Sequence, residues 1–369
     1  MSRLNDLIKE YCPHGVEYKK LADILKIKNG ADYKNYKKGE IPVYGSGGII
    51  SYIDTAVYDK PSVLIPRKGS VDKLYYVETP FWNVDTIFYT EIFPEFAVPK
   101  YVYYFLQKEH LERYNTAGGV PSLTQKTLNI ITIPVPPLPV QEEIVQILDS
   151  FSAHIIELQE KIKTEIEIRN KQYNYYRDNL LSFSADVRWQ RLGDTCFMRS
   201  GKAISSSDIS PEKDDNILYP CYGGNGIRGY VREASHHGEY PIIGRQGALC
   251  GNVNYATGDF YATEHAVVVK SLGKYNQRFL YHLLTAMDLN QYKSQGAQPG
   301  LAVGNIENLF APVPPIEKQE EIVDILERFF FLSSAIRDNL LHEIEARQKQ
   351  YEYYRDKLLT FPELKESEA

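Results

Sequence analysis

An arginine followed two residues later by a glycine occurs at equivalent places in two halves of the chain. Arg67 and Gly69 correspond to Arg245 and Gly247, which lie 178 residues further along. Both segments precede glycine-containing loops, at 116–128 and 294–306, that carry Ser and Gln, with Thr and Lys as well in the first. These residue types contact nucleic-acid bases and phosphates. We therefore take these segments and loops as candidate DNA-recognition elements. The alternative is that each arginine makes a structural salt bridge.

Residue types of catalytic centres do not recur in this way. His236-His237 is a lone pair in a polar loop, more typical of a surface than of a metal site. Glu264-His265 corresponds to Asp85-Thr86, so one half lacks the histidine, which favours a structural role. GxSxG, HExxH and Walker motifs are absent from the sequence, as are PD…ExK nuclease and NPPY methyltransferase signatures. We expect a non-catalytic chain that binds no cofactor or metal.

The strongest internal similarity lies further along each half. Residues 169–183 and 347–361 are identical at eleven of fifteen positions. The same offset relates the QEEIV sequences that begin at Gln141 and Gln319, together with their Pro-rich lead-ins. A match of this length indicates an internal repeat, which has to be recognised before a fold is assigned.

Each repeat predicts a long helix after its Pro-rich segment. Apolar residues recur at three- and four-residue steps from Leu148 to Leu180, and the second copy follows the same steps with Ser333 as an exception, as in a coiled-coil seam. Such a stripe has to be buried, and two helices in one chain meet at high effective concentration. We predict an antiparallel intramolecular pair over 141–182 and 319–360. A coiled coil between chains is the alternative.

The remaining segments predict short strands, turns and shorter helices. The resulting fold class is α+β, with an internal pseudo-two-fold repeat. Two similar mixed α/β domains, at 1–140 and 186–316, are joined by the long antiparallel coiled-coil helices at 141–185 and 317–369. Within the domains, segments 98–114 and 277–292 are predicted as helices.

Glycine-rich turns follow a predicted strand in both domains, in IPVYGSGGII at 41–50 and YPCYGGNGIRGY at 219–230. Their spacing does not match GxxxxGK[ST], which argues against a nucleotide-binding loop. A tight hairpin turn and a loop that contacts a polyanion remain equally compatible with the pattern.

Composition and charge bear on the binding partner and the cellular compartment. The net charge of −6 argues at first against nucleic acid, but the excess acid lies on the two helical segments and the domains are near neutral. The four cysteines lack CxxC spacing, which argues for a reducing cytoplasm. The absence of long apolar runs argues against a membrane span, and the N-terminus does not resemble a signal peptide.

The chain resembles the specificity subunit of a type I restriction–modification system. The resemblance rests on the two P-V-P-P-[LI]-x-x-Q-E-E-I-V segments, the two YYRDxLLxF helix ends and the two Y-G-x-x-G turns, and it covers essentially the whole chain. It implies that each mixed domain recognises one half of a bipartite, asymmetric site in double-stranded DNA. It also implies that the helices set the gap between the half-sites and dock two methyltransferase subunits.

The resemblance further implies motor–nuclease (restriction) subunits as partners, and S-adenosylmethionine, ATP and Mg are expected on the partner subunits. The specificity chain of a type IIB or other methylation-based defence system remains an alternative, as does a scaffold on a coiled coil that does not bind DNA. Neighbouring methyltransferase and helicase-like genes would favour the type I interpretation.

Two sets of site residues follow from these arguments. The predicted DNA-binding residues are Tyr44, Ser46, Gly47, Arg67, Lys68, Ser70, Gly118, Gly119, Ser122, Gln125 and Lys126 in the first domain, and Tyr222, Gly224, Asn225, Arg228, Arg245, Gln246, Gln295, Gln298 and Gly300 in the second. The predicted partner-binding residues are Gln141, Glu142, Tyr173, Tyr176 and Arg177 on the first helix, and Gln319, Glu320, Tyr351, Tyr354 and Arg355 on the second.

Overall fold

The chain forms two compact units, each built from one mixed domain and parts of both long helices. The computed structural model describes residues 2–115, 121–184, 186–214, 218–247, 249–295 and 299–364. Unit 1 comprises Met1–Ile162 with Leu341–Ala369, and unit 2 comprises Lys163–Leu340. Each unit therefore contains the start of one long helix and the end of the other.

The first domain and its helix are made of the following elements in chain order. They are α1 (Ser2–Tyr11), β1 (Glu17–Lys20), α2 (Leu21–Ile24), β2 (Leu25–Asn29), β3 (Lys38–Gly45), β4 (Gly48–Ile53), β5 (Ser62–Pro66), β6 (Tyr75–Val77), β7 (Trp82–Asn83), β8 (Ile87–Ile92), α3 (Pro99–Lys108), α4 (Gln125–Asn129), β9 (Thr132–Val135) and α5 (Leu138–Leu180). A 3₁₀ turn at Leu111–Tyr114 follows α3, so the segment predicted as helical at 98–114 is confirmed.

The second domain and its helix repeat this order. The elements are β10 (Trp189–Arg191), α6 (Leu192–Thr195), β11 (Cys196–Ser200), β12 (Tyr219–Gly223), β13 (Gly226–Val231), β14 (His236–His237), β15 (Tyr240–Gly244), β16 (Val253–Ala256), β17 (Asp259–Ala262), β18 (Ala266–Ser271), α7 (Gln277–Ala286), α8 (Val303–Glu307), β19 (Phe310–Pro312) and α9 (Ile316–Leu358). Further 3₁₀ turns lie at Ser206–Asp208 and Leu289–Tyr292.

The described strands form the same sheets in both units. Unit 1 has the orders β2-β8-β5-β6, β4-β3-β7 and β1-β9, and unit 2 has β11-β18-β15-β16, β13-β12-β17-β14 and β10-β19. The first sheet named for each unit is antiparallel throughout. The second contains the β3–β4 or β12–β13 hairpin and one parallel pairing, of β3 with β7 or of β12 with β17. The predicted internal repeat is thus confirmed in the strand topology, and the β14–β17 pairing of unit 2 has its counterpart in unit 1 in an isolated antiparallel bridge between Tyr58 and Phe81.

A glycine occupies the same close approach in both units. A Cβ atom at Gly30 would lie 2.1 Å from the carbonyl oxygen of Val84, and one at Gly201 would lie 1.9 Å from that of Ala262. Both distances are shorter than any real contact of a Cβ atom, so no larger residue fits without moving the backbone. This explains why these two glycines match in the repeat.

The two long helices pack antiparallel in each unit. In unit 1, Phe151 stacks on Tyr354 with ring centroids 6.0 Å apart, whereas Lys161, further along α5, lines a groove with Arg347, earlier on α9. In unit 2, Tyr176 stacks on Phe329 at 5.1 Å. The predicted intramolecular pairing is therefore confirmed.

The first long helix begins earlier than its sequence indicates. The predicted start is residue 141, but α5 starts at Leu138 and includes Pro139. A proline in the first helical turn removes no hydrogen bond, because the amides there have no partner within the helix.

Candidate nucleic-acid interface

In unit 1 the arginine segment is hydrogen-bonded to the loop that precedes α4. The amide of Gly69 donates to the carbonyl of Pro121 at 3.0 Å. The amide of Leu123 donates to the carbonyl of Arg67 at 2.9 Å. Two segments that the sequence marked separately therefore form one surface.

Unit 2 repeats both hydrogen bonds at the equivalent residues. The amide of Gly247 donates to the carbonyl of Pro299 at 3.0 Å, and the amide of Leu301 donates to the carbonyl of Arg245 at 2.8 Å. Because backbone atoms make these bonds, they hold the two loops together whatever side chains the loops carry.

One antiparallel bridge also joins each pair of loops, and here the side chains differ. The bridge is between Lys68 and Ser122 in unit 1 and between Gln246 and Gly300 in unit 2. A constant backbone frame thus presents a cation and a hydroxyl in one unit and an amide and no side chain in the other.

The turn of the β3–β4 hairpin lies against the same surface in unit 1. The amide of Ser46 donates to Oγ1 of Thr86 at 3.4 Å, and the carbonyl of Thr86 accepts from the amide of Arg67 at 2.8 Å. The hydroxyl of Tyr75 donates to the carbonyl of Ser46 at 3.2 Å. Thr86 therefore holds the hairpin turn beside the arginine segment.

The β12–β13 turn occupies the equivalent place in unit 2. A Cβ atom at Gly224 would lie 2.8 Å from the carbonyl oxygen of Gln246, so the turn and the arginine segment touch. The carbonyl of His265 accepts from the amide of Arg245 at 2.9 Å, just as the carbonyl of Thr86 accepts from the amide of Arg67 in unit 1. Each unit thus presents a three-loop surface, made of the hairpin turn, the arginine segment and the following loop.

Both arginines of this surface remain free of carboxylates. The guanidinium of Arg67 lies 5.7 Å from the ring centroid of Phe88, and Nη1 of Arg245 donates to Oγ of Ser200 at 3.0 Å. Neither arginine takes part in an ion pair with a residue that the structure describes. Within the described part of the chain, the structural salt bridge considered as the alternative is therefore not formed at either arginine.

Many of the predicted DNA-binding residues are open to solvent. The exposed ones are Gly47, Lys68, Ser70, Lys126, Asn225, Arg228, Gln246 and Gln295. Those that are half-buried at the loop surface are Ser46, Arg67, Ser122, Gly224, Arg245 and Gly300. Gly118, Gly119 and Gln298 lie outside the residues that the structure describes.

Three of the predicted DNA-binding residues make contacts within their own unit. The ring of Tyr222 is 7% exposed and meets Phe260 edge-on, and the half-buried ring of Tyr44 packs similarly against Phe81. The amide of Gln125 donates to the carbonyl of Ile27 at 3.1 Å and so ties α4 to β2. The sequence suggested surface roles because glycines and polar residues surround all three.

The helix residues predicted to bind partners also divide into buried and exposed groups. Gln141 and Gln319 are fully buried, so their assignment to a docking surface is wrong. Nε2 of Gln141 donates to the carbonyls of Phe96 and Pro136, and its Oε1 accepts from the amide of Val98. Gln319 makes the same three bonds, to the carbonyls of Lys274 and Pro314 and from the amide of Asn276. We call this arrangement the glutamine latch.

Further residues of that set are largely covered within their units. Tyr351 and Arg355 are 9% and 6% exposed, so they too are misplaced on a docking surface. The half-buried side chains are Tyr173, Arg177 and Tyr354. Glu142, Glu320 and Tyr176 are exposed and keep their predicted place on the surface.

The sequence interpretation missed the most exposed tyrosines of the repeated motif. Tyr175 is 65% exposed and Tyr353 is 62% exposed, and the two occupy the same position of the repeat. The adjacent tyrosines of the motif, YY, point in different directions on a helix. Only the packing of the helix in the structure shows which of the two rings faces solvent.

The histidine pair of unit 2 makes contacts within the part of the chain that the structure describes. His236 stacks on Phe260 and Nδ1 of His237 lies 2.7 Å from Oδ1 of Asp259, and no group of three or more metal-ligating side chains is found there. None of the described helices combines the length and apolar content that a membrane span requires.

Comparison with known proteins settles the family. The model of the type I restriction modification DNA specificity domain matches twice, at residues 13–168 and 186–346. The chain belongs to the type I restriction–modification specificity subunits. This membership favours the type I system over the type IIB alternative and over a scaffold without DNA, and it confirms a non-catalytic role in a restriction–modification complex that acts on DNA.

Relatives of this specificity subunit match most of its length. It is 37% identical to the type I restriction enzyme EcoprrI specificity subunit of Escherichia coli, covering 92% of this chain and 93% of the relative. Identity to the EcoR124I/EcoR124II specificity subunit of the same species is 32%, covering 71% of each chain. A putative specificity subunit of Haemophilus influenzae is 28% identical, covering 94% of this chain and 96% of its own.

Solved structures support the fold at lower identity. A chain from a study of type I restriction–modification complex assembly and conformational transition matches with a TM-score of 0.69 at 15% identity, covering 94% of this chain and 97% of its own. The HsdS subunit of Thermoanaerobacter tengcongensis matches with a TM-score of 0.53 at 14% identity, covering 95% and 97%.

Proposed function

We propose that the three-loop surface of each unit recognises one half of a bipartite, asymmetric DNA site. The observation that supports this most directly is the constant frame with different side chains. The same backbone bonds join the loops in both units, while Lys68 is replaced by Gln246 and Thr86 by His265. Because base recognition depends on the side chains presented in a groove, one frame can serve two different sequences.

In this proposal the partner subunits, and not this chain, carry out the catalytic steps. S-adenosylmethionine would bind the methyltransferase subunits, while ATP and Mg would bind the restriction subunits, so this chain would bind no cofactor. We place the complex in the cytoplasm, where bacterial DNA is accessible. Partner subunits would add phosphate contacts, which offset the overall negative charge of this chain during DNA binding.

Two methyltransferase subunits would dock on the helices, one on each unit. Unit 1 contains the QEE sequence at 141–143 and the YYR sequence at 353–355, and unit 2 contains those at 319–321 and 175–177. Each unit therefore has one complete set of the repeated helix residues. An exposed tyrosine in each set, Tyr353 or Tyr175, offers the large amphipathic contact that is enriched in protein interfaces.

Methylome sequencing of cells with and without this gene tests the proposal. We expect one asymmetric, bipartite methylated motif to disappear when the gene is deleted and to return on complementation. Replacing residues 1–140 by the corresponding domain of a relative should then change one half of the motif only. An unchanged methylome after deletion would contradict DNA recognition, and a replacement that changed both halves would contradict independent domains.

A further inference from the structure

An acidic side chain on each long helix holds the neighbouring domain helix. In unit 1, Nζ of Lys100 lies 3.0 Å from Oδ2 of Asp149, and the hydroxyl of Tyr104 donates to the other carboxylate oxygen. Lys100 and Tyr104 are on α3 and Asp149 is on α5. We call these three residues junction 1.

Unit 2 has a junction at the same repeat positions with different residues. Nε and Nη2 of Arg278 bind the two carboxylate oxygens of Glu327 at 2.7 and 3.0 Å, and Nε2 of His282 lies 2.7 Å from Oε1. Arg278 and His282 are on α7 and Glu327 is on α9. These three residues are junction 2.

The partner residues differ in a compensating way. The shorter carboxylate, Asp149, meets the longer Tyr104, and the longer carboxylate, Glu327, meets the shorter His282. Around the two carboxylates the helices are nearly the same, since QEEIV and the following Ile-Leu and Phe recur in both copies. The glutamine latch is also identical, and of the three positions that differ between 141–151 and 319–329, the one at Asp149 and Glu327 binds the domain helix in both units.

A tyrosine from the other long helix completes each arrangement. The hydroxyl of Tyr173 lies 3.3 Å from Nδ1 of His282, and Tyr351, its counterpart, belongs to the same core cluster as Tyr104. Each junction thus connects the domain helix to both long helices within its unit. Aromatic rings cover the cations: Arg278 lies 4.4 Å from the ring centroid of Tyr255, and Lys100 lies 5.4 Å from that of Tyr76.

The hydrogen bonds of junction 2 give each group one defined state. Burial lowers the pKa of His282 to about 4, so the ring is neutral near pH 7. Its Nε2–H then donates to Glu327, while Nδ1 accepts from Tyr173. Burial alone would raise the pKa of Glu327, but hydrogen bonds from Arg278 and His282 hold it below its ordinary value. The charged carboxylate of Glu327 thus accepts hydrogen bonds from two donors on α7, Arg278 and His282. Rotation of α7 against α9 would break these bonds.

We propose that junctions 1 and 2 are matched positioning devices that set the direction in which each domain leaves the helices, and so fix the half-site gap over which the chain binds DNA. This inference rests on the proposed function. A mismatched junction would shift the domain helix against the long helix with which it shares a core, and would carry the rest of the domain with it. The expected consequence is a changed gap preference with the same half-site sequences.

Exchange of residues within junction 1 tests the proposal. Asp149→Glu alone places a long carboxylate against Tyr104, whereas Lys100→Arg, Tyr104→His and Asp149→Glu together rebuild junction 2 in unit 1. Gln146→Asp is the matched control, since it introduces the residue of the other copy, Asp324, at an exposed position on the same helix. Asp149→Asn removes the charge at constant size if Asp149→Glu does not fold.

Each variant, assembled with the methyltransferase subunits, is titrated with duplexes that carry the methylated motif at its natural gap or with one or two base pairs added or removed. We expect Asp149→Glu to weaken binding at the natural gap by about tenfold or more and to reduce or shift the gap preference. The triple variant and Gln146→Asp should behave as the natural chain does.

Equal weakening at every gap length, or a triple variant no better than Asp149→Glu, would overturn the inference while leaving DNA recognition intact. Failure of the natural complex to prefer its methylated motif over unrelated duplexes would instead overturn the proposed function itself. Melting temperatures identify variants that do not fold. If Asp149→Glu is one of them, the titration is made with Asp149→Asn in its place.

Discussion

The Nε2 atom of His282 lies 2.7 Å from Oε1 of Glu327, and the imidazole ring is almost completely buried. Burial keeps the folded pKa near 4, below the ordinary value of 6.5. The unfolded chain therefore binds a proton at His282 as the pH falls below about 6.5, while the folded chain binds it only near 4. The contribution of His282 to stability is present above pH 6.5 and is lost as the pH falls towards 4.

Urea unfolding at pH 7 and pH 4.5 measures this effect. The natural chain should lose more free energy of unfolding between these two pH values than His282→Gln does, by roughly 1–3 kcal/mol. The glutamine variant is the proper reference because the carboxylates of the chain titrate in both proteins. Equal losses in the two proteins would contradict a buried neutral histidine.

Replacement of Phe151 by Ala should destabilise unit 1. The ring stacks on Tyr354 but is 38% exposed, so we expect a loss of roughly 1–3 kcal/mol, less than for a fully buried phenylalanine. Denaturant unfolding gives the value. Ile156→Ala serves as control, since Ile156 is 56% exposed on the same helix and its loss should be small. Comparable losses for the two variants would argue against the stacked seam.

Substitution of the two exposed tyrosines tests the docking sites. Tyr353→Ala and Tyr175→Ala should each weaken one methyltransferase site, and the double variant should weaken both, with the free energy of unfolding changed by less than about 0.5 kcal/mol. Native mass spectrometry of the complex at limiting methyltransferase concentration counts the bound subunits. A natural complex with a single methyltransferase per chain would refute the two-site proposal.

Alanine substitutions in the arginine segments should affect one half-site at a time. Arg67→Ala should weaken binding of the methylated motif by roughly 1–3 kcal/mol if the guanidinium contacts a base, and Arg245→Ala should do the same for the other half. Competition with duplexes altered in one half-site identifies the half that each variant no longer distinguishes. Lowered melting temperature with unchanged binding would assign the arginines a structural role.

Much of the fold could be predicted because the repeat is a property of the sequence alone. Tyr173, Tyr176 and Leu180 equal Tyr351, Tyr354 and Leu358, and their spacing requires two helices with the same seam. Gly30 and Gly201 occupy equivalent places in the two halves, and the structure supplies the reason in a close approach to a carbonyl oxygen.

The site was predicted less well, because residue type does not determine which way a side chain points. Gln141 and Gln319 belong to the best-conserved part of the repeat, and the sequence suggested a docking role. In the structure their amides satisfy backbone groups that would otherwise be buried without partners. A residue is expected to be identical in both halves whether it makes the same core contact or binds the same partner. Only its burial in the structure distinguishes these two roles.

The sequence by itself determined the repeat, the two long helices and the family, since periodicity and motif spacing are local properties of the chain. Tertiary structure decided which loops meet and which tyrosines are exposed. Arg67 and Leu123 are far apart in sequence, and their backbone hydrogen bond forms only when the sheet and α4 are in place. Junctions 1 and 2 likewise depend on packing between a domain helix and a long helix, because their side-chain lengths match only across that contact.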